Sequence, residues 1–260
     1  MFDYHLHSTV SFDGYSSMTE YAVAAQAKGF SEICFTEHCE YGYPTEINAV
    51  PDLNIYNVEL EKARATAPDL RIKAGLELGL LNGDMKKELS IVQMYPFDFI
   101  IASQHIIAGK DPYMGGFFEG RTVKEAQQLY LEELYNNIFR FDDFDVIGHI
   151  GYTDKYLQDG KPFEYQDFSG LIDAILLSAI NRGKGIEVNT SNYKNGYLMP
   201  HISIIRRFAE LGGEILTIGS DAHRAENIGQ NFNEAYELLR ECGIQYICTF
   251  EQRKVKFVRI

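Results

Sequence analysis

Six of the seven histidines in this sequence stand at or near the end of a short apolar segment typical of a buried strand. They are His5, His7, His38, His105, His149 and His223. His5 and His7 are two residues apart, so on a strand both rings face the same side and could chelate one ion. Histidines that only fill a core would scatter over helices as well as strands. Their concentration at strand ends therefore predicts a site for several metal ions.

Acidic side chains occupy similar positions. Glu77 interrupts the apolar run AGLELGL, and Asp221 ends the last predicted strand. A carboxylate buried without a partner is costly, so Glu77 requires either a salt bridge or a metal ion.

Taken singly, these residues have ordinary explanations as well. His149 alone is explained as a hydrogen-bonded core histidine. Asp221 and His223 alone are explained as parts of a capped turn. His201, which follows a proline at a helix start, is interpreted as a surface or capping residue. The coincidence of all the strand-end residues is what favours the metal site.

The elements that would position these residues alternate along the chain. Apolar runs predict seven strands, at residues 2–7, 32–38, 71–78, 97–105, 145–150, 185–190 and 214–221. Helical patterns lie between them, at residues 19–28, 58–67, 122–141, 168–182, 200–211 and 231–242. Thr122 and Glu125 have capping-box spacing, and Gly29 is a suitable residue to end the first helix.

Strands that alternate with helices predict parallel βαβ units. Seven such strands favour a closed α/β barrel over an open sheet, and residues 245–260 alternate like a short hairpin packed on its side. The C-terminal strand ends of a parallel barrel meet at one mouth, so the six imidazoles should point into one concavity.

Composition narrows the class of protein. The 260 residues are 45% hydrophobic and 23% charged, without a linker or repeat, which indicates a single globular domain over residues 1–260. The net charge of −13 argues against nucleic acid or an anionic membrane as partner. The four cysteines form no CxxC pair and the first residues resemble no secretory signal, so a cytoplasmic location is expected. The oligomeric state is left open.

The motifs, in chain order, are His5-Leu6-His7, Asp13-Gly14, Thr36-Glu37-His38, Gly75-Leu76-Glu77, Ser103-Gln104-His105, Gly148-His149 and Ser220-Asp221-Ala222-His223. This series resembles the polymerase-and-histidinol-phosphatase (PHP) superfamily. Within it, the segments Asp111-Pro112-Tyr113, Phe117-Phe118 and Glu187-Val188-Asn189-Thr190-Ser191 resemble the histidinol-phosphate phosphatase branch. The resemblance implies a distorted (β/α)7 barrel, here with a small C-terminal β-hairpin.

The resemblance also implies three divalent ions. His5, His7, Glu77 and Asp221 would hold the first, Glu77 with His105 and His149 the second, and Asp13, His38 and His223 the third. Asp13 stands where many relatives carry a histidine, which would make the third ion harder in character. Imidazole and carboxylate ligands without a thiolate suit Zn, Mn or Fe(II) and do not choose among them.

The activity that the resemblance implies is hydrolysis of a phosphate monoester, L-histidinol phosphate, in histidine biosynthesis. The nucleophile would be a hydroxide that bridges two ions. Asp221 and His223 are candidates to pass a proton to the leaving alkoxide.

The resemblance also implies a basic residue that contacts the phosphate, for which Lys194 is the first candidate and Arg224, next to His223, the second. The other substrate contacts are predicted from loop position. Phe118 and Glu119, beside Phe117, would form an aromatic and acidic wall for the imidazole and ammonium of the substrate.

Three alternatives remain open. The first is a phosphoesterase of the same superfamily that acts on phosphotyrosine or a nucleotide. The second is a metal-dependent amidohydrolase, disfavoured because strand 3 supplies Glu77 and strand 4 supplies His105. The third is a non-enzymatic metal-binding module, disfavoured because all nine ligand positions carry competent side chains.

Overall fold

Seven parallel strands form one sheet. The computed structural model describes residues 1–83, 85–157 and 161–260. The strands are β1 (Phe2–Leu6), β2 (Glu32–Cys39), β3 (Arg71–Gly79), β4 (Phe99–Ser103), β5 (Val146–Ile147), β6 (Gly185–Asn189) and β7 (Leu216–Gly219). Each strand pairs with the next one along the chain.

The sheet closes almost completely on itself. Just beyond β7, Ala222 forms a parallel bridge with Leu6 of β1, and the backbone N–H of His7 donates to the carbonyl of Ala222 at 3.0 Å. These contacts join the last strand of the sheet to the first. The predicted seven-stranded α/β barrel is therefore confirmed.

Helices cover the outside of the barrel. They are α1 (Met18–Ala27), α2 (Leu53–Thr66), α3 (Lys86–Met94), α4 (Val123–Arg140), α5 (Ser169–Ile180), α6 (Ile202–Glu210) and α7 (Phe232–Glu241). Thr122 and Glu125 form the predicted capping box at the start of α4. Of the described helices, none is long and apolar enough to cross a membrane.

Two helices differ from the sequence prediction. The helix predicted from residue 58 begins at Leu53, because the Asp52 side chain accepts the backbone N–H groups of Asn54 and Ile55. Helix α3 was not predicted. Its N-cap residue, Met85, makes no capping hydrogen bond, so the usual start signal is missing from the sequence.

The C-terminal residues form the predicted antiparallel hairpin, β8 (Tyr246–Glu251) and β9 (Lys254–Arg259). It packs under the N-terminal end of the barrel, and the prediction that it lies on the side was wrong. The Phe250 ring lies 4.9 Å from the Phe99 ring at the start of β4, and the backbone N–H of Phe250 donates to the Tyr4 hydroxyl at 2.8 Å. Apolar contact inside the barrel decides this position.

An irregularity in β1 places successive side chains inside the barrel. The pairing of β1 with β2 shifts register between Asp3 and Leu6. The ring of Tyr4 packs against Phe99 across the barrel, while its neighbour His5 reaches Glu77 of β3. Regular alternation would send these neighbours to opposite faces. The shift therefore supplies both an interior packing residue and a site residue.

Candidate metal centre and active site

All nine predicted ligands meet at the C-terminal mouth of the barrel. His5, His7 and Glu77 are fully buried at its floor, and the other six are buried or half-buried. Four overlapping groups of these residues have their ligand atoms within 4.8 Å of one another. The groups are His5, Glu77 and His149; His5, His7 and Asp221; His38, Glu77 and His105; and His7, His38 and His223.

Glu77 presents its two oxygens to different sets of imidazoles. Its Oε2 lies 3.3 Å from His5 Nε2 and 3.4 Å from His7 Nε2. Its Oε1 lies 2.7 Å from His149 Nε2 and 3.4 Å from His105 Nε2. A carboxylate arranged in this way can serve two neighbouring cations at once.

A third group lies nearer to solvent. Asp13 Oδ2 is 3.1 Å from His223 Nε2 and 3.5 Å from His38 Nε2. The other ring nitrogen of His38 lies 2.9 Å from Glu77 Oε2, so this ring connects the outer group with the floor of the site.

Two buried carboxylates that sequence reasoning did not assign to the site hold ligand rings from behind. Glu187 Oε1 lies 2.5 Å from His5 Nδ1, and Glu40 Oε1 lies 2.5 Å from His105 Nδ1. Such partners fix the ring orientation and leave Nε2 free for a metal. Gly79 leaves room for Glu40, since a Cβ at this position would lie 1.8 Å from its carboxylate oxygen.

Asp221 adopts a backbone conformation that aspartate rarely takes, with φ of +52°. Its neighbours hold it there. Asp3 accepts hydrogen bonds from the backbone N–H and the hydroxyl of Ser220, and Ala222 is bridged to β1. Strain of this kind costs about 1–3 kcal/mol and is common at functional sites.

The electrostatics of the cluster call for positive charge. Burial lowers the pKa of the His5 ring, but Glu187, Glu77 and Asp221 outweigh burial and raise that pKa well above its usual value. Burial opposes ionisation of Glu77, yet the surrounding imidazoles hold the pKa of its carboxyl well below the usual range. The buried acids and imidazoles of the cluster thus favour one another's charged forms.

The donor atoms fit bound metal ions. Glu77 Oε2, His5 Nε2 and His7 Nε2 are buried and have no hydrogen-bond partner. Two ligands of one tetrahedral ion with bonds of about 2.0–2.1 Å lie about 3.3 Å apart, which matches their separations from Glu77. The cluster therefore suits a divalent metal ion in both its chemistry and its spacing.

A cavity of about 260 Å³ opens above the cluster. Its walls carry Asp13, His38, His105, His149, Asp221 and His223 together with Glu40, Asp111, Lys155 and the aromatic residues Phe12, Tyr15, Tyr43, Tyr113, Tyr152 and Tyr156. A small molecule with an anionic end and an aromatic or cationic body would find complementary groups here.

The predicted substrate contacts are not among the described residues that line the cavity. Lys194 and Glu119 are exposed, Phe118 packs against the core, and none of the three is among the described residues that line the cavity. Arg224 is exposed and stacks on Tyr15 at the rim, with its guanidinium 4.0 Å from the ring centroid. His201 caps helix α6, as predicted.

Lys155 is the basic residue that sequence reasoning missed. It lies on a short 3₁₀ helix, Tyr152–Tyr156, that follows β5, and its Nζ is 3.1 Å from Asp221 Oδ2 at the cavity wall. Burial opposes its charge, but Asp221 raises the pKa of the ammonium above its usual value. In the sequence, Lys155 is recognisable only as a lysine six residues after His149. It lies between the regular elements, where hydrophobic periodicity gives no prediction.

A parallel barrel with imidazoles and carboxylates gathered at its C-terminal mouth defines a metal-dependent hydrolase architecture. A sequence model of the PHP domain matches residues 3–191. The chain belongs to the PHP domain family.

Similar proteins extend over the whole chain. A probable histidinol-phosphatase of Clostridium acetobutylicum is 30% identical over 99% of both chains. A histidinol-phosphatase of Lactococcus lactis is 30% identical over 97% of this chain and 95% of its own. The crystal structure of histidinol phosphate phosphatase from Lactococcus lactis, complexed with zinc, L-histidinol and phosphate, superposes with a TM-score of 0.90 at 28% identity, covering 98% of each chain.

Proposed function

We propose that this protein hydrolyses L-histidinol phosphate to L-histidinol and phosphate with the help of bound divalent metal ions. The observation that carries this proposal is the likeness, over 98% of both chains, to a phosphatase crystallised with zinc, L-histidinol and phosphate. The cluster of imidazoles and carboxylates at the C-terminal mouth of the barrel, with Asp13 beside it, gives that likeness a chemical basis. The four cysteines are free thiols, which supports a cytoplasmic location.

The proposal includes three ions of Zn, Mn or Fe(II). His5, His7, Glu77 and Asp221 would hold the first, Glu77, His105 and His149 the second, and Asp13, His38 and His223 the third. Bound ions of this kind lower the pKa of a coordinated water toward ~7 and stabilise charge on phosphate oxygens. Support comes from the two oxygens of Glu77, which face separate sets of imidazoles.

Lys155 is our candidate for the residue that binds the phosphate. Among the described lysines and arginines it is the one that lines the cavity. Its ammonium is held by Asp221 Oδ2 at 3.1 Å, so the charge stays beside the cluster. A lysine in this place orients a phosphate oxygen as a point charge and adds no ligand to the metal site.

Asp221 and His223 would handle the proton that the leaving oxygen needs. Both line the cavity, and His223 Nδ1 lies 3.0 Å from the backbone carbonyl oxygen of Asp221 and 3.7 Å from its Oδ1. The His223 side chain is 27% exposed, so it can exchange protons with water. The pair can thus pass a proton from solvent to the mouth of the site.

For the wall that would hold the imidazole and ammonium we propose Asp111 and nearby tyrosines, which line the cavity, in place of Phe118 and Glu119. Tyr43 and Tyr152 donate hydrogen bonds to the two oxygens of the buried Asp111 carboxylate, at 2.7 and 2.8 Å. In the described part of the chain, no lysine, arginine or histidine forms an ion pair with Asp111 within 4.0 Å. This acid among aromatic rings suits the ammonium or imidazolium of the substrate.

Elemental analysis of carefully reloaded protein tests the metal part of the proposal. About three ions per chain are expected, because nine ligands exceed what one tetrahedral ion can use. A stoichiometry that never exceeds one would refute the three-ion arrangement.

A panel of monoesters tests the substrate. The comparison is kcat/KM for histidinol phosphate against phosphotyrosine, phosphoserine and a nucleoside monophosphate. Since the metal cluster treats all phosphates alike, Asp111 and the rings should favour histidinol phosphate by at least ~10-fold, or about 1.4 kcal/mol. A smaller preference would contradict this substrate and favour another small monoester.

A further inference from the structure

Glu37 precedes the predicted ligand His38 on β2, and its carboxylate hydrogen-bonds to Ser8 and Ser11. It is fully buried, and its carboxylate accepts hydrogen bonds from the loop that follows β1. The backbone N–H groups of Ser8 and Ser11 each donate to it at 3.0 Å, and the Ser8 hydroxyl donates at 2.6 Å. The loop between His7 and Asp13 is therefore fixed to β2 through one carboxylate.

The Ser11 hydroxyl has its proton committed by this arrangement. Ser11 Oγ lies 2.5 Å from Glu37 Oε2. Burial raises the pKa of Glu37, but the N–H and hydroxyl groups of Ser8 and Ser11 all donate to this carboxyl, which leaves it only acceptor roles. The hydroxyl has one proton, so Ser11 Oγ acts as an acceptor toward every other neighbour.

Two donors face the remaining lone pairs of Ser11 Oγ. The backbone N–H of His38 donates to it at 3.0 Å, and Nδ1 of His7 lies 3.3 Å away. Because the oxygen can only accept here, Nδ1 of His7 must carry the ring proton. The other ring nitrogen, Nε2, then has a free lone pair. It points to Glu77 Oε2 at 3.4 Å and to Asp221 Oδ1 at 3.5 Å.

We propose that Ser11, oriented by Glu37, is a positioning residue that keeps the His7 proton on Nδ1 and thereby presents Nε2 to a metal ion. This inference rests on the proposed metal binding but not on the proposed substrate. The Ser11 hydroxyl also connects His7 to the backbone of His38, so the orientations of two proposed ligands depend on one side chain.

The test measures zinc affinity directly, with zinc ion and a chromophoric chelator in competition for the full-length protein. Ser11→Ala is expected to weaken the affinity for zinc by ~10- to 100-fold, the usual cost of losing a hydrogen-bonded partner of a ligand. Excess zinc should restore turnover. Unchanged zinc affinity in a folded Ser11→Ala protein would overturn the proposal.

Ser203→Ala is the matched control. Ser203 Oγ lies 2.9 Å from His201 Nδ1 and accepts the backbone N–H of Tyr165 at 2.9 Å, so it is a serine–histidine pair of the same kind outside the cluster. Its zinc affinity is expected to equal that of the wild type. An equal loss in both variants would show a general effect of losing a hydroxyl and would count against Ser11.

A second measurement needs no variant at position 11. Nitrogen-15 spectra of the zinc-loaded wild type, with the His7 signal assigned by comparison with His7→Gln, should show the proton on Nδ1. A proton on Nε2 would overturn the inference whatever the substrate proves to be. Failure of the monoester panel, with this result intact, would instead refute only the proposed substrate.

Discussion

The two ends of the barrel are built from the same strands but differ in how far their polar groups are satisfied. At the N-terminal end, Tyr4, Phe99 and Phe250 pack together, and charged groups have partners, as in the 2.5 Å contact of Arg253 with Asp145. At the C-terminal mouth, buried atoms such as His5 Nε2 and His7 Nε2 lack hydrogen-bond partners. The N-terminal end stabilises the fold, while the C-terminal mouth keeps unsatisfied buried groups that cost stability but can receive cations.

The largest effect should come from Glu77, the acid shared between the groups at the mouth. We expect Glu77→Ala to lower kcat/KM at least ~10³-fold while the protein stays folded, because its loss disturbs two proposed ions together. Glu32→Gln, which changes a buried acid paired with Arg71 at the opposite end, should leave kcat/KM near the wild-type value. Steady-state kinetics and circular dichroism make the comparison. Near-wild-type turnover of Glu77→Ala would refute the bridging role.

Phe250→Ala should have the converse effect. The ring is buried against Phe99 and Tyr4, so its removal leaves a cavity and should lower the free energy of unfolding by about 3–5 kcal/mol. Below the melting transition, kcat/KM should be unchanged. Urea unfolding and kinetics on the same sample separate the two quantities. Lost activity at unaltered stability would show that the two ends do not divide their roles.

Lys155 and Lys194 are two candidates for the phosphate contact. The first is favoured by the structure and the second by the sequence. Lys155→Ala should raise KM and lower kcat/KM ~10- to 100-fold with unchanged metal content, as expected for the loss of one charge-assisted hydrogen bond. Lys194→Ala, at an exposed position, should change kcat/KM by no more than about twofold. The reverse ranking would restore Lys194 as the phosphate contact.

The smallest effect concerns Asp154, a buried acid next to Lys155. Burial raises the pKa of this carboxyl from 3.8 to about 7, against hydrogen bonds from Gln127 and Phe163. The folded state therefore holds the proton more tightly than the unfolded chain. The resulting stability is present in full below about pH 4 and is lost as the pH rises through 7.

The measurement is made in the presence of a chelator. Between pH 5 and 8 the free energy of unfolding of the wild type should fall by about 2 kcal/mol more than that of Asp154→Asn. Urea titrations at three pH values measure the difference between the two proteins. Parallel pH profiles would show that this carboxyl titrates normally.

The sequence predicted the strands and the metal-ligand cluster because both follow from regular patterns. Glu77 is recognisable as an acid inside an apolar run, and the histidines as strand-end residues. Lys155 and Asp111 were not predicted to line the site because they lie on loops, whose path depends on tertiary contacts such as the Tyr43–Asp111 hydrogen bond.

The place where the hairpin packs on the barrel could not be predicted from its alternating pattern either. Residues 245–260 alternate in the way that any hairpin does. Only the apolar contact of Phe250 with Phe99, and the contact of Arg253 with Asp145, decide which surface it covers. Long-range packing of this kind leaves no periodic trace in the sequence.

The bridge between Leu6 and Ala222 determines at which stage of folding a metal ion could bind. It brings His5 of β1, and His7 just after that strand, beside Asp221, which follows β7. An ion that needs all three has no site until the two edges of the sheet have met, which is a slow, long-range event. By the proposed ligand set, a metal ion would bind the completed barrel and stabilise it by mass action. A chain that stops short of closure gains none of that stability, so retention of metal becomes a readout of whether folding has finished.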